Sequence, residues 1–165
     1  MSPIFVIGFP GDVGGANTEL WHTLRLWRRA GLEVTLVPTT PPDPKWIDRV
    51  EAIGCRVAAG SVERPAAVSG LAGNVAVAFC NSGFLKHAHR LAEAGCRLVW
   101  VNCMTWLFAE ERRQYRRRGP FDAYVFQSEY QEHQLLPQLA KFGVRPQQCR
   151  RIRGACVVDE LPFQP

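Results

Sequence analysis

Apolar residues run along this chain in short blocks, and between the blocks they recur at helical spacing. The first block, Pro3 to Gly8, is β-branched and aromatic and ends in glycine, which predicts a buried first strand. The loop Phe9-Pro10-Gly11-Asp12-Val13-Gly14-Gly15 follows. From Asn17 to Ala30 the positions Leu20, Leu24 and Trp27 repeat as on a helix, with Asn17 or Thr18 as the cap and Gly31 as the stop. Strand, glycine loop and helix in that order open a mononucleotide-binding unit.

The alternation continues. Glu33 to Val37 reads as a second strand, closed by Pro38-Thr39-Thr40-Pro41-Pro42, and a helix runs from Pro44 to Ile53. Cys55 to Ala58 is a weak strand and Val75 to Cys80 a strong one, followed by a helix from Gly83 to Ala94. Beyond it come the strand Arg97 to Val101, a helix within Thr105 to Arg118, the strand Ala123 to Gln127, a helix from Glu129 to Phe142, and a last strand at Arg151 to Arg153. Strands separated by helices need crossover connections, so the pattern predicts a doubly wound α/β fold of Rossmann type: a mainly parallel sheet with helices on both faces. Residues 1–153 read as one such domain. Residues 154–165, ending in Asp159-Glu160-Leu161-Pro162-Phe163-Gln164-Pro165, read as the start of a connection to something else.

Composition agrees with a packed domain: the 165 residues are 47% hydrophobic and 21% charged, with five Trp. The apolar block near the N-terminus lacks a basic flank and fails as a secretory signal, and no stretch approaches a membrane span. Cys55, Cys80, Cys96, Cys103, Cys149 and Cys156 form no C-x-x-C pair and no zinc spacing, so they read as reduced core thiols of a cytosolic protein, with no metal expected. The formal charge of +5 owes much to Arg112, Arg113, Arg116, Arg117 and Arg118. Only Tyr115 and Gln114 interrupt this cluster and no RNA-binding signature accompanies it, so no nucleic-acid partner is expected. A solvated helix face and a peripheral contact at the inner face of a membrane both stay open for it.

In an open parallel sheet, ligands collect at the carboxyl ends of the strands, where helix N-termini present free amides. That rule selects the loop from Gly11 to Asn17, the turn after Val37, Asn81-Ser82-Gly83, Asn102-Cys103-Met104-Thr105-Trp106, Ser128-Glu129 and the chain near Gly154. The spacing Gly8-x-x-Gly11-x-x-Gly14-Gly15 lets backbone amides meet a phosphate or a sugar hydroxyl, or simply makes a tight turn. A nicotinamide site wants an acid at the end of the second strand, yet this strand ends Val37-Pro38-Thr39-Thr40. Tyr115 and Tyr130 are followed four residues on by Gly119 and Gln134, which leaves no Tyr-x-x-x-Lys pair. No G-x-S-x-G elbow is present, and His22, His87, His89 and His133 read as surface residues of helices, so no catalytic nucleophile or base is named.

The phrases Gly14-Gly15-Ala16-Asn17-Thr18-Glu19-Leu20, Arg29-Ala30-Gly31-Leu32-Glu33-Val34-Thr35-Leu36-Val37 and Phe126-Gln127-Ser128-Glu129-Tyr130 together resemble the N-terminal domain of GT-B glycosyltransferases. The likeness is to glycosyltransferase family four, with its Gly-Gly loop after the first strand and its "R-x-x-G-H-E-V" phrase, here without the His. The run Ile152 to Phe163 is similar to that family's "I-P-N-G-V-D-x-x-x-F" crossing into the second domain. The resemblance implies two Rossmann domains with the active site between them and metal-independent transfer of a sugar from a nucleotide-sugar donor. The N-terminal half would mainly hold a sugar, lipid or polymer acceptor, and would be inactive alone.

On that resemblance Gly14 and Gly15, with Ala16 and Asn17, match the loop that faces donor phosphates and acceptor, and Ser128 and Glu129 match the end of a later strand that faces the cleft. Many members carry a His after the strand that corresponds to Leu98 to Val101, where this chain has Asn102-Cys103; Asn102 serves either a sugar hydroxyl or its own loop, and Thr105 on the same loop is a further substrate-binding candidate. Retaining members rely on the donor phosphate as base, which leaves the protein to position and stabilise charge. An NAD(P)-binding oxidoreductase domain and a non-catalytic Rossmann interaction module remain the alternatives. If the resemblance holds, the native polypeptide measured by intact mass spectrometry has roughly 300 or more residues, enough for two such domains; a native mass equal to this chain would contradict it.

Overall fold

A computed structural model describes residues 3–154. Seven strands form one sheet: β1 (Ile4–Ile7), β2 (Val34–Val37), β3 (Arg56–Val57), β4 (Val75–Phe79), β5 (Arg97–Val101), β6 (Ala123–Phe126) and β7 (Cys149–Arg151). Their order is β3-β2-β1-β4-β5-β6-β7, and every neighbouring pair is parallel. Among the described residues five α-helices make five of the six crossovers, α1 (Gly15–Arg29), α2 (Pro44–Ala52), α3 (Ser82–Glu93), α4 (Ala109–Arg118) and α5 (Glu129–Ala140), while β3 connects to β4 through a loop with a 3-10 turn at Pro65–Ala67. The sheet thus grows one way from β1 to β3 and the other way from β4 to β7. The doubly wound Rossmann-type fold expected from the alternation is the fold observed.

The two-residue period of a strand sends alternate side chains to opposite faces. Phe5, Ile7, Ala76, Ala78, Leu98, Trp100, Tyr124 and Phe126 join one core with Phe84, Leu91, Leu135 and Leu139 from α3 and α5. Its centre is aromatic: Phe84 stacks on Trp100 at 5.6 Å, and Tyr115 meets Phe121 edge-on at 5.4 Å. Val6, Leu36, Val77, Phe79 and Val101 face the other way, onto Leu20, Trp21 and Leu24 of α1 and Trp46 and Val50 of α2. Five valine, leucine and isoleucine residues of β1 and β2 are nearly inaccessible, as a strand covered on both faces requires.

α4 is the least apolar helix, and a buried polar group holds it. Glu111, 1% exposed, accepts a 2.8 Å hydrogen bond from the Phe108 amide and a 3.2 Å bond from the Tyr115 hydroxyl. Burial pushes its carboxyl above the usual carboxylate range, against the lowering effect of those donors.

Several local expectations are corrected. α1 begins at Gly15 with Gly14 as its cap residue rather than at Asn17 or Thr18, because the Asn17 side-chain amide turns back to the Val13 carbonyl at 2.6 Å. The last strand is Cys149–Arg151 instead of Arg151–Arg153; Cys149 pairs with Tyr124 and Arg151 with Phe126, so β6 sets its register. His22 and His87 are buried, not at the surface. α1 packs on α2 as well as on the sheet, Trp21 meeting Trp46 at 5.4 Å, which widens its buried face beyond the Leu20, Leu24, Trp27 stripe. Of the cysteines, Cys55, Cys96 and Cys149 are buried and free, Cys80 and Cys103 are half-buried at the carboxyl edge, and Cys156 lies outside the described residues.

Burial lowers the His87 imidazole below its ordinary pKa, with Glu63 partly opposing. The unfolded chain therefore binds a proton that the fold disfavours. Stability is whole above the ordinary imidazole pKa of about 6.5 and is lost as pH falls below it. Urea midpoints compared at neutral pH and at about pH 5 should drop less in His87→Gln than in the unsubstituted protein; an equal drop would remove His87 from the account.

Candidate functional site

Because all strands are parallel, their carboxyl ends share one edge, and the sheet's two halves diverge there between β1 and β4. Chain density at this point is set by glycine. Gly8 has φ +127°, and a Cβ on it would stand 2.6 Å from the Asn81 side-chain nitrogen. Asn81 in turn caps α3, its Oδ1 accepting from the Phe84 amide at 2.9 Å. A Cβ on Gly83 would stand 2.4 Å from Thr39, so the start of α3 is also pressed against the turn after β2.

The loop that leads to α1 is tethered through Asp12 and by the Asn17 side chain, which donates to the Val13 carbonyl. Asp12 accepts from the Trp46 indole at 3.1 Å and pairs with Lys45 of α2, and that hydrogen bond from Lys45 holds its carboxyl below the usual range. Past Asp12 the backbone is open: Gly14 has φ +96°, and added Cβ atoms on Gly14 and Gly15 would meet nothing within 4 Å. Neither a side-chain cap nor an acidic first-turn residue occupies this helix start. Its leading amides and the positive end of its dipole face that open space.

The loop after β5 is built differently. Asn102 is 3% exposed; its backbone amide and its side-chain amide both donate to the Val125 carbonyl, at 2.9 and 3.3 Å. Gln131, a residue the sequence reading passed over, clamps this loop: its side-chain nitrogen donates to the carbonyls of Asn102 at 3.0 Å and Met104 at 2.9 Å, while its Oε1 accepts from the Gln127 amide at 2.7 Å. The signal was available in Ser128-x-x-Gln131, the spacing of a capping box. Ser128 is the cap of α5, accepting from the Gln131 amide at 3.1 Å, and Glu129 pairs with Arg151 at 3.5 Å. Thr105 is half-buried on the same loop as Asn102.

Cys80 and Cys103 sit between these loops. Cys80 has φ +45°, rare for a residue with a side chain, and its sulfur accepts from the Cys103 amide at 3.0 Å. The hydrogen bond between the two side chains lowers the Cys80 thiol and raises that of Cys103.

The eight sequence-selected residues therefore share one edge but not one cavity. Gly14, Gly15, Ala16 and Asn17 stand at the end of β1, Asn102 and Thr105 at the end of β5, and Ser128 and Glu129 at the end of β6. None lines either of the two larger clefts. One of these, about 540 Å³, is an apolar groove on the sheet face beside α1, floored by Val77, Val99 and Val125 and walled by Trp27, with Glu19 and Gln127 toward the carboxyl edge. Among the described residues, no group of three or more His, Cys, Asp or Glu is placed to hold a metal ion, and no helix is long and apolar enough to cross a membrane.

No protein-family model matches the chain, and no curated protein matches it. A solved structure does: the crystal structure of Anabaena Alr3699/HepE in complex with UDP, at a TM-score of 0.61 and 15% identity. What the two share is a fold. The similarity covers 95% of this chain and 45% of the other, so this chain spans less than half the length of the structure it matches.

The clamp has a measurable worth. Gln131→Leu leaves two loop carbonyls and the Gln127 amide without their partner in a buried setting, which should cost about 1–3 kcal/mol of stability. Urea unfolding reads this as a lower midpoint at unchanged slope; a loss under about 0.5 kcal/mol would show that water replaces the side chain.

Proposed function

We propose that this chain is the acceptor-side, N-terminal Rossmann domain of a GT-B glycosyltransferase similar to family four, working with a second domain on a nucleotide-sugar donor. The observation that carries the reading is the fold similarity over 95% of the chain to a protein crystallised with UDP. The open helix start at Gly14 and Gly15 supports it from the chemical side.

Transfer of a sugar from a nucleotide donor leaves a diphosphate, so negative charge grows on the leaving group in the transition state. Preorganised donors aimed at that charge lower the barrier most where water is excluded. The first amides of α1 are such donors, and glycine at positions 14 and 15 lets a phosphate approach the backbone with no Cβ between. The second domain supplies the remaining nucleotide contacts and closes the site. The acceptor lies along the edge toward Asn102, Thr105, Ser128 and Glu129. Asn102 and Ser128 already serve their loops and Glu129 pairs with Arg151, which leaves the Thr105 hydroxyl the freest of these groups for a sugar hydroxyl. Deprotonation of the acceptor falls to the donor phosphate, in keeping with the lack of a histidine among these residues.

Gly15→Ala separates fold from function. Position 15 has an ordinary helical backbone and room for a methyl group, so thermal stability should hold or rise slightly. Calorimetric titration of the native polypeptide with UDP should show affinity reduced about tenfold in the variant, an effect near 1.4 kcal/mol. Unchanged UDP affinity would overturn the placement of the phosphates, and tight NADP binding in place of UDP would move the domain to the oxidoreductases.

A further inference from the structure

The second large cleft lies on the other sheet face, between α3 and α4, and encloses about 550 Å³. Its walls carry Lys86 from α3 and Arg113, Arg117 and Arg118 from α4, against the carboxylates of Glu63 and Glu110. These arginines are a subset of the basic cluster. Positions 110, 113, 114, 117 and 118 fall on one face of α4 and line the cleft, while Arg112 and Arg116 do not. The Arg118 guanidinium donates to the Ala88 carbonyl at 3.1 Å, which ties α4 to α3. Lys86, Arg113 and Arg117 take part in no ion pair among the described residues. Like charges held along one wall repel one another unless an anion joins them, and a guanidinium fork matches phosphate geometry.

Two further features point the same way. α3, a helix of 12 residues, starts in this cleft at Ser82 and Gly83. Asn81 takes the Phe84 amide, so the amides of Ser82 and Gly83 have no intrahelical acceptor, and the helix dipole is positive there. His87 lines the wall at 8% exposure, and its Nδ1 is buried with no hydrogen-bond partner, a polar atom for which the protein provides nothing. Thr39, Thr40 and Ser82 add hydroxyls at the carboxyl-edge end.

We propose that the cleft between α3 and α4 is an anion site for a phosphate-bearing ligand, distinct from the helix start at Gly15. Lys86, Arg113 and Arg117 hold the phosphate, and the hydroxyls and Glu63 or Glu110 meet polar groups beyond it. The phosphate belongs to a soluble phosphoester or to a lipid headgroup; the chemistry recognised is the same.

Inorganic pyrophosphate titrated into the full chain by calorimetry tests this. Arg113→Ser/Arg117→Ser should weaken binding about tenfold or more, and Lys86→Gln should weaken it severalfold. Arg112→Ser/Arg116→Ser, which removes the same charge from the same helix outside the cleft, should leave it nearly unchanged. Circular dichroism melting confirms that each variant folds. Equal losses in the two double variants would reduce the effect to net charge and overturn the site, as would the absence of pyrophosphate binding or binding that the cleft variants leave unchanged. Sedimentation with phosphatidylcholine vesicles containing phosphatidylglycerol identifies the source. Binding that is weakened by the cleft variant and displaced by pyrophosphate assigns a lipid headgroup, and pyrophosphate binding without sedimentation assigns a soluble phosphoester.

Discussion

At the centre of the sheet two strands leave side by side and their chains turn to opposite faces, and the rest of the architecture depends on how closely they pass. Gly8 and Asn81 are the residues that meet there. Asn81 must reach the first turn of α3 to cap it, and the path of its side chain crosses the space a Cβ at position 8 would fill. With a glycine at positive φ at that point, β1 enters its loop while Asn81 passes close beside it to cap the helix that follows β4. The carboxyl edge then gathers the ends of all seven parallel strands, and with them every open helix start.

The two faces of that sheet are finished unequally. α3, α4 and α5 cover one side, and their apolar residues close a core with the aromatic group around Trp100. Among the described residues α1 and α2 lie on the other, and Val77, Val99 and Val125 floor a groove beside α1. Each face also ends with a different chemistry at the edge. The α1 side presents glycine backbone and an uncapped helix start, while the α3–α4 side presents fixed positive charge and hydroxyls. One parallel sheet thus carries two chemically different surfaces at a single set of strand ends.

Buried polar groups give the loops at this edge their shape. Gln131 and Asn102 spend their side chains on carbonyls and amides of neighbouring loops, and Glu111 does the same for the start of α4. Such groups are expensive to bury unless fully bonded, and once bonded they admit a single arrangement. These bonds tie the ends of β5 and β6 to one another and leave little of Asn102 over for a ligand.

The order of strands and helices was legible because period-two and period-3.6 patterns are local properties of the chain, and parallel pairing follows once they alternate. The glycine loop before α1, the carboxyl-edge location of the candidate residues and the basic character of α4 were legible for the same reason. Helix starts were harder: Asn17 has the chemistry of a cap, but the amide of its side chain was needed at Val13, and the helix began two residues earlier. Burial of His22 and His87, the clamp at Gln131, and the division of the α4 arginines into those that line a cleft and those that do not were decided only by tertiary structure. Each depends on which element lies opposite, a relation between residues far apart in sequence. Local sequence set what each segment is; the packing of one segment on another set what each side chain at the edge is free to do.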